Sequence, residues 1–418
     1  MNEKAVLVAI EMPKESRADA ALSFDELKHL AYTAGAQVID QKFQHLKEIH
    51  PKYFIGKGKA EEIAESLKIS HPDLVIFDHD LTPAQQSHLE ELLEVRVVDR
   101  TGIILDIFAQ RAKSKEGKLQ VELAQLHYLY PRLKGHGVML SRLGGGIGTR
   151  GPGEMKLEMD RRRIRDRISQ LNREIKLLEK NRAMRREKRQ SVPLPIITLV
   201  GYTNAGKSTL LNALTEAKVL AEDKLFATLD PTTRQLILPN HQHALVTDTV
   251  GFIQKLPVEL VKAFKATLEE VTEADLIIHV IDLSHPEFEK QQNEVIKILD
   301  FLEASHKPIL YVYNKIDVNL DYKHLFLTHR RLHPCVMISA EQKTNFPELL
   351  EKIQNLLSHF IEKVDIIVPL EDQKTLASIH EQGKVIEKKY LKTSVRVIAE
   401  VPPKFANWLK KQSGIKFS

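Results

Sequence analysis

Gly201, Tyr202, Thr203, Asn204, Ala205, Gly206, Lys207 and Ser208 follow the pattern G-x-x-x-x-G-K-[ST]. Each fixed position has a chemical use. The two glycines let the backbone wrap a polyphosphate with its N–H groups pointing inward. Lys207 brings charge to the β- and γ-phosphates, and Ser208 offers a hydroxyl to Mg²⁺. Further along comes Asp248-Thr249-Val250-Gly251. A carboxylate there can hold the Mg²⁺ shell through water, while Gly251 donates its N–H to the γ-phosphate and swings when that group leaves. D-x-x-G by itself is a common turn sequence; downstream of a phosphate loop it becomes specific. Asn314-Lys315-Ile316-Asp317 and Ser339-Ala340 address the base. Asp317 can accept from both N1–H and the exocyclic amine of guanine, and adenine would leave that carboxylate without its partners. A backbone N–H at Ser339-Ala340 can reach the guanine O6.

One element of such a site is still missing, a hydroxyl that closes over Mg²⁺ from a segment between Ser208 and Asp248. The stretch Phe226-Ala227-Thr228-Leu229-Asp230-Pro231-Thr232-Thr233-Arg234 is the candidate. Thr228, Thr232 and Thr233 each offer a hydroxyl, and spacing alone does not choose among them.

These groups need a scaffold of strands ending at one edge. An apolar run at 196–200 precedes the phosphate loop and a helical run at 209–216 follows it, which is the strand–loop–helix context the mechanism requires. Further strands are expected at 244–247, 276–281, 309–313 and 336–338. The predicted fold class is α/β and multi-domain. Residues 1–134 form an N-terminal α/β domain, with strands at 5–10, 36–39, 74–77 and 95–98 and helices at 24–34, 60–67 and 83–93. Ser23 and Thr82 serve as the expected N-caps of two of these helices. Residues 135–192 hold a glycine-rich loop and a basic helical segment, 193–364 a P-loop (Ras-like) domain, and 365–418 a small α+β unit reading strand, helix, strand, strand, helix. The basic segment has a helix seam of Leu157, Ile164, Ile168, Leu171, Ile175 and Leu178. Arg161, Arg162, Arg163, Arg165, Arg167 and Arg173 fill its other faces, with acidic residues interspersed.

Composition narrows the class. A 28% charged and 43% hydrophobic chain of 418 residues is that of a globular protein with more than one core. A single cysteine, Cys335, excludes an intrachain disulfide and suggests a reducing, cytoplasmic setting. No apolar run is long enough to span a membrane. Cys335 itself reads as core. The run from Tyr53 to Lys59 reads as a tight turn before a helix. Asp78-His79-Asp80 reads as a polar turn, since adjacent residues on an extended chain point to opposite faces.

The run Gly144-Gly145-Gly146-Ile147-Gly148-Thr149-Arg150-Gly151-Pro152-Gly153-Glu154, the phosphate loop Gly201 to Ser208, and Phe226 to Pro231 together resemble the HflX family of bacterial GTPases, relatives of the Obg group. The resemblance covers everything up to the end of the GTPase domain. It implies GTP hydrolysis with Mg²⁺, held by Ser208 and by Thr228, the threonine it favours. It also implies binding to the ribosome, through the large subunit and rRNA, and the splitting or recycling of stalled ribosomes. The expected partners are therefore GTP, GDP and the ribosome, with the chain itself monomeric. Arg150, Arg161, Arg162, Arg163 and Arg165 are the expected rRNA contacts, because basic side chains neutralise phosphates. One departure stands out: Phe252 follows Gly251, where Ras-like proteins carry the glutamine that orients the attacking water. Hydrolysis unaided should be slow. A K⁺ ion is a further candidate cofactor, since in potassium-activated relatives an asparagine at the position of Asn204 helps hold one beside the phosphates.

Overall fold

The structure is a computed structural model and describes residues 3–12, 16–141, 152–189, 194–215, 225–240, 242–255, 257, 260, 265–318, 333–358, 362–412 and 414–417. Residues 142–151, most of the expected glycine-rich loop and including Arg150, lie outside these residues, and Pro152 and Gly153 at its end open a helix instead. The chain forms two compact units. One comprises Met1–Leu178 with two short additions, Lys224–Phe226 and Gln254–Phe264; the other comprises Glu179–Asp223, Ala227–Ile253 and Lys265–Ser418. Among the described residues no helix is long and apolar enough to cross a membrane.

In the first unit, β1 (Lys4–Glu11), β2 (Gln37–His45), β3 (Leu74–Phe77) and β4 (Arg96–Asp99) make a parallel sheet in the order β2-β1-β3-β4. β1 and β3 are buried along nearly their whole length, as in a parallel sheet covered on both faces. The helices are α1 (Arg17–Ala34), α2 (Lys57–Ser70), α3 (Pro83–Leu93) and α4 (Arg100–Arg111). Thr82 caps α3 in a full capping box with Gln85. Ser23, in contrast, caps nothing. α1 starts earlier, capped by Ser16, and Ser23 lies buried within it, its hydroxyl 2.7 Å from Asp78 Oδ2. A serine with a buried acceptor in reach has no need of a helix end to satisfy it. Two long helices follow, α5 (Lys115–Ser141) and α6 (Pro152–Arg189). α5 runs on through Gly135 and Gly137, which sequence alone assigns to the glycine-rich segment. Leu171 and Ile175 of the α6 seam bury against Leu119 of α5, and Arg167 grips Glu122 in a two-pronged pair at 2.6 and 2.8 Å.

The second unit holds two sheets. The six-stranded sheet has the order β10-β9-β8-β5-β7-β6. Its strands are β5 (Ile196–Gly201), β6 (Thr232–Ile237), β7 (His243–Asp248), β8 (Leu276–Asp282), β9 (Ile309–Asn314) and β10 (Cys335–Met337). Only β6 runs antiparallel, on β7. Around the sheet stand α7 (Lys207–Thr215), α8 (Lys265–Glu273), α9 (Phe288–Phe301) and α10 (Phe346–Ser358). Cys335 is buried in the core with Tyr311, Tyr313 and Phe288. At the C-terminus, β11 (Glu362–Pro369), α11 (Gln373–Gln382), β12 (Lys384–Tyr390), β13 (Ser394–Val401), α12 (Pro403–Lys411) and β14 (Lys416–Phe417) form an antiparallel sheet in the order β12-β13-β11-β14. This is a split βαβ arrangement. Alternate residues of β13, Val395, Val397, Ala399 and Val401, join Phe405 and Leu409 of α12 in a separate core.

Candidate nucleotide-binding site

In an open α/β sheet ligands gather beyond the carboxyl ends of the parallel strands, and four of the motifs end there. β5 lies between β8 and β7 and delivers the phosphate loop. Neither glycine of that loop can be replaced. A Cβ on Gly201 would stand 2.2 Å from the Val280 carbonyl oxygen, and one on Gly206 would stand 2.3 Å from Asn314 Nδ2. Between them Asn204 is exposed and left-handed, at φ 61.

Lys207 opens α7 and is buried. Its Nζ donates to the carbonyls of Gly201 (3.1 Å) and Tyr202 (2.9 Å). Burial depresses its pKa to about 8, and the negative charge of Asp248 opposes that shift. Asp248, at the end of β7, is fully buried, and its pKa is raised by burial against the pull of Lys207, Ser208 and Thr228. Ser208 Oγ donates to Asp248 Oδ2 at 2.6 Å, Thr228 Oγ1 reaches the same oxygen at 3.0 Å, and the two hydroxyls are 2.9 Å apart. Asp248 Oδ1 is buried with no hydrogen-bond partner among the described residues. A cluster of hard oxygens around one unsatisfied carboxylate oxygen fits Mg²⁺, which takes one or two carboxylates and fills its remaining positions with water and phosphate.

Of the three candidate threonines, only Thr228 joins this cluster. Thr232 and Thr233 belong to β6, and the Thr233 hydroxyl lies 3.0 Å from that of Thr247 on β7. Around Thr228, Phe226 and Leu229 are buried and Ala227 and Asp230 half-buried. Gly251 packs on the phosphate loop so closely that a Cβ there would meet Thr203 Cα at 2.8 Å and Lys207 Nζ at 3.0 Å. Thr249 and Val250 are buried beside it, with Thr249 Oγ1 donating to the Leu199 carbonyl. Phe252 is a core residue. Its ring is 1% exposed, its N–H donates to the Gly201 carbonyl, and its carbonyl accepts from Thr203.

Asn314 ties the base motif to the phosphate loop, donating from Nδ2 to the Ala205 carbonyl and accepting at Oδ1 from the Ala340 N–H, both at 2.9 Å. That bond occupies the N–H expected to reach guanine O6, so a bound base has to share or displace it. Ser339 is buried next to Ala340. Ile316 packs on the core near Cys335, and Asp317 is exposed at the strand end, open to a base. Lys315 is left-handed, at φ 66, and its Nζ lies 2.7 Å from Asp282 Oδ2.

The basic residues are on α6. Arg162, Arg163 and Arg165 are exposed and Arg161 is half-buried; several pair along the helix, as in Arg165–Glu158 at 2.9 Å and Arg163–Asp160 at 3.7 Å. Exposed pairs of this kind are worth little and exchange readily for other anions.

Two charged or polar groups escape a reading of the sequence. His279, in the otherwise apolar β8, is 1% exposed, and burial lowers its pKa to about 3, with the charge of Lys207 adding to the effect. It stays neutral near the buried ammonium, and its only mark in sequence is one polar residue in an apolar run. Asp78, read as part of a polar turn, is buried and ion-paired to Arg100 at 2.7 Å. Its partner is distant in the chain, which no local pattern reveals.

The depressed Lys207 pKa has a measurable consequence. Phosphate anions favour the ammonium and raise its pKa again. A fraction of Lys207 is neutral in the free protein once pH exceeds about 8, so GDP binding there takes up protons and weakens as pH rises toward the ordinary lysine value. Calorimetry near pH ~8.5 in two buffers of different ionisation heat should register this uptake. Lys207→Arg, which does not titrate in that range, should lose it.

The comparisons with known proteins agree with this geometry. Residues 21–109 match a family profile described as GTP-binding GTPase N-terminal, 111–189 the GTP-binding GTPase middle region, and 196–315 the 50S ribosome-binding GTPase. The GTPase HflX of Caldanaerobacter subterraneus subsp. tengcongensis is 49% identical across 96% of this chain and 91% of its own length. That of Escherichia coli is 42% identical across 97% and 95%. Among solved structures, a GTP-binding protein from the archaeon Sulfolobus solfataricus in complex with GDP aligns over 85% of this chain and 99% of its own, at 26% identity and a TM-score of 0.46. With a phosphate loop, an oxygen cluster and a guanine motif meeting at one sheet edge, and with relatives this similar along nearly the whole chain, the protein belongs to the HflX family of GTPases and hydrolyses GTP to GDP and phosphate.

Proposed function

We propose that this GTPase binds the ribosome, chiefly the large subunit through its rRNA, and uses GTP binding and hydrolysis to split or recycle stalled ribosomes. The observation that carries the reading is α6, a long helix on which Arg162, Arg163 and Arg165 are exposed and Arg163 and Arg165 pair with acidic side chains of the same helix. An rRNA phosphate backbone offers the same charge as those glutamates and aspartates at higher density. The match of residues 196–315 to a ribosome-binding GTPase profile supports the same partner. In the nucleotide site Lys207 neutralises the β- and γ-phosphates and Gly251 senses the γ-phosphate. Ser208 and Thr228 hold Mg²⁺ directly, Asp248 holds it through water, and Asp317 selects guanine. When bound, Mg²⁺ neutralises charge on the transferring phosphate. Since the Phe252 ring supplies no hydrogen bond, the water-orienting group comes from a ribosomal element or from the backbone of the segment around Thr228. A K⁺ ion at Asn204, exposed on the rim of the phosphate loop, is a further source.

Three measurements test these assignments. Asp317→Asn should shift preference from guanine toward xanthine nucleotides, because an amide donates where the carboxylate accepted and xanthine carries an acceptor in place of the amine. Competition binding measures this, and an unchanged preference for guanine would remove Asp317 from the base site. Ribosome co-sedimentation should fall steeply with salt, and replacing Arg161, Arg162, Arg163 and Arg165 with glutamine should weaken it without altering GDP affinity. Wild-type sedimentation by that variant would reduce α6 to a solvated face. Exchanging Na⁺ for K⁺ should speed turnover if a cation supplies the missing group, and Asn204→Ala should abolish the difference. A supplied positive group of this kind is worth about 10³ to 10⁵ in rate. Equal turnover in the two salts removes the cation and leaves the ribosome or a backbone group of the segment around Thr228.

A further inference from the structure

Both segments that carry nucleotide-sensing groups run into the N-terminal unit. The chain passes from one unit to the other between Phe226 and Ala227, just ahead of Thr228, and again between Ile253 and Gln254, just past Gly251. In the N-terminal unit, at each passage, a non-glycine residue is left-handed, Phe226 just before the first and Lys255 just after the second, both at φ 53. Such a conformation persists in a bulky residue only where its surroundings hold it. Each of the two is held inside the N-terminal unit. The Phe226 ring meets Phe108 edge-on, with centroids 4.7 Å apart, and is 2% exposed. Lys255 Nζ lies 2.9 Å from Asp78 Oδ2 and 3.3 Å from His79 Nε2.

The Asp78 cluster explains why a cation belongs there. Asp78 is 2% exposed and accepts from Arg100 at Oδ1 and from Ser23 at Oδ2, both at 2.7 Å. Arg100 is 1% exposed and also pairs with Glu26. Buried charges are held in pairs, and Asp78 takes a second cation beside Arg100. Lys255 brings that cation from the chain that has just left Gly251. Asp78 keeps both Arg100 and Ser23 if Lys255 is removed, so the fold of the cluster does not depend on the lysine. The position of the chain that bears it does.

We propose that Lys255 is a positioning residue: its pair with the Asp78–Arg100–Glu26 cluster fastens the Gly251 segment to the N-terminal α/β domain and makes that domain responsive to the γ-phosphate. Gly251 moves when the γ-phosphate is lost. A tether a few residues downstream then differs in energy between the GTP and GDP states. Coupling of this sort is reciprocal: if nucleotide state alters the tether, the tether alters the relative affinity for the two nucleotides. This goes beyond the ribosomal reading and does not require it.

The test uses the full-length protein without ribosomes. Affinities for GDP and a non-hydrolysable GTP analogue are measured for wild type, Lys255→Met and Lys255→Arg. Lys255→Met should change the ratio of the two affinities by about 5-fold or more, and Lys255→Arg should hold it near wild type. Amide exchange across α1 and β3 should differ between the two nucleotide states in wild type and lose that difference in Lys255→Met. A lysine with only a structural role would lower both affinities together or leave both alone. Either an unchanged ratio or an exchange difference that survives Lys255→Met overturns the proposal.

Discussion

A lysine ammonium is buried at the end of a parallel strand in this protein, and much of the nucleotide-binding unit follows from what that requires. Lys207 sits out of water with two carbonyls for company and one carboxylate, Asp248, close enough to oppose its loss of charge. Burial works on both groups in opposite directions, depressing the lysine and raising the aspartate. Each therefore has an unmet electrostatic demand in the free protein, the lysine for an anion and the aspartate for a cation. A nucleotide phosphate with Mg²⁺ bound at this site would meet both demands at once. A neutral His279 behind the site keeps a second positive charge from adding to the cost.

Holding such a site open needs rigid backbone at close quarters. Gly201 and Gly206 allow the Val280 carbonyl and the Asn314 amide to approach where any side chain would collide. Asn314 then links the phosphate loop to the loop at Ala340 through two hydrogen bonds, so the base-reading and phosphate-reading parts are mutually positioned before a ligand arrives. Phe252 follows the same logic. Its backbone bonds to the phosphate loop on both sides and its ring fills the core, which gives the sheet edge rigidity.

The chain segments at Thr228 and Gly251 run on into the other compact unit. The segments around Thr228 and Gly251 stand on the strands of one unit, while Phe226 and Lys255, at their far ends, belong to the other. Each of the latter two is held inside its own unit, Phe226 by a ring contact and Lys255 by an ion pair, and an ion pair changes energy with small changes in distance.

Much of this was legible in the sequence because it is local. The phosphate loop, Asp248–Gly251 and Asn314–Asp317 each sit at the end of an apolar strand, so period and spacing locate them without a fold. The α/β character of the N-terminal domain followed from alternating strand-like and helix-like runs, and Thr82 was a readable helix start. Other features depend on residues far apart in the chain. Three threonines were equivalent until β6 paired with β7 and left Thr228 alone beside Ser208 and Asp248. Ser23 looked like a helix cap until Asp78 proved to be its acceptor. Asp78 looked like a turn residue because its partners, Arg100 and Lys255, are 22 and 177 positions away. Local composition determines which element forms and which short motif it carries. Which buried charge meets which partner is decided only when folding brings distant residues into one low-dielectric place, where an unpaired group is too costly to leave alone.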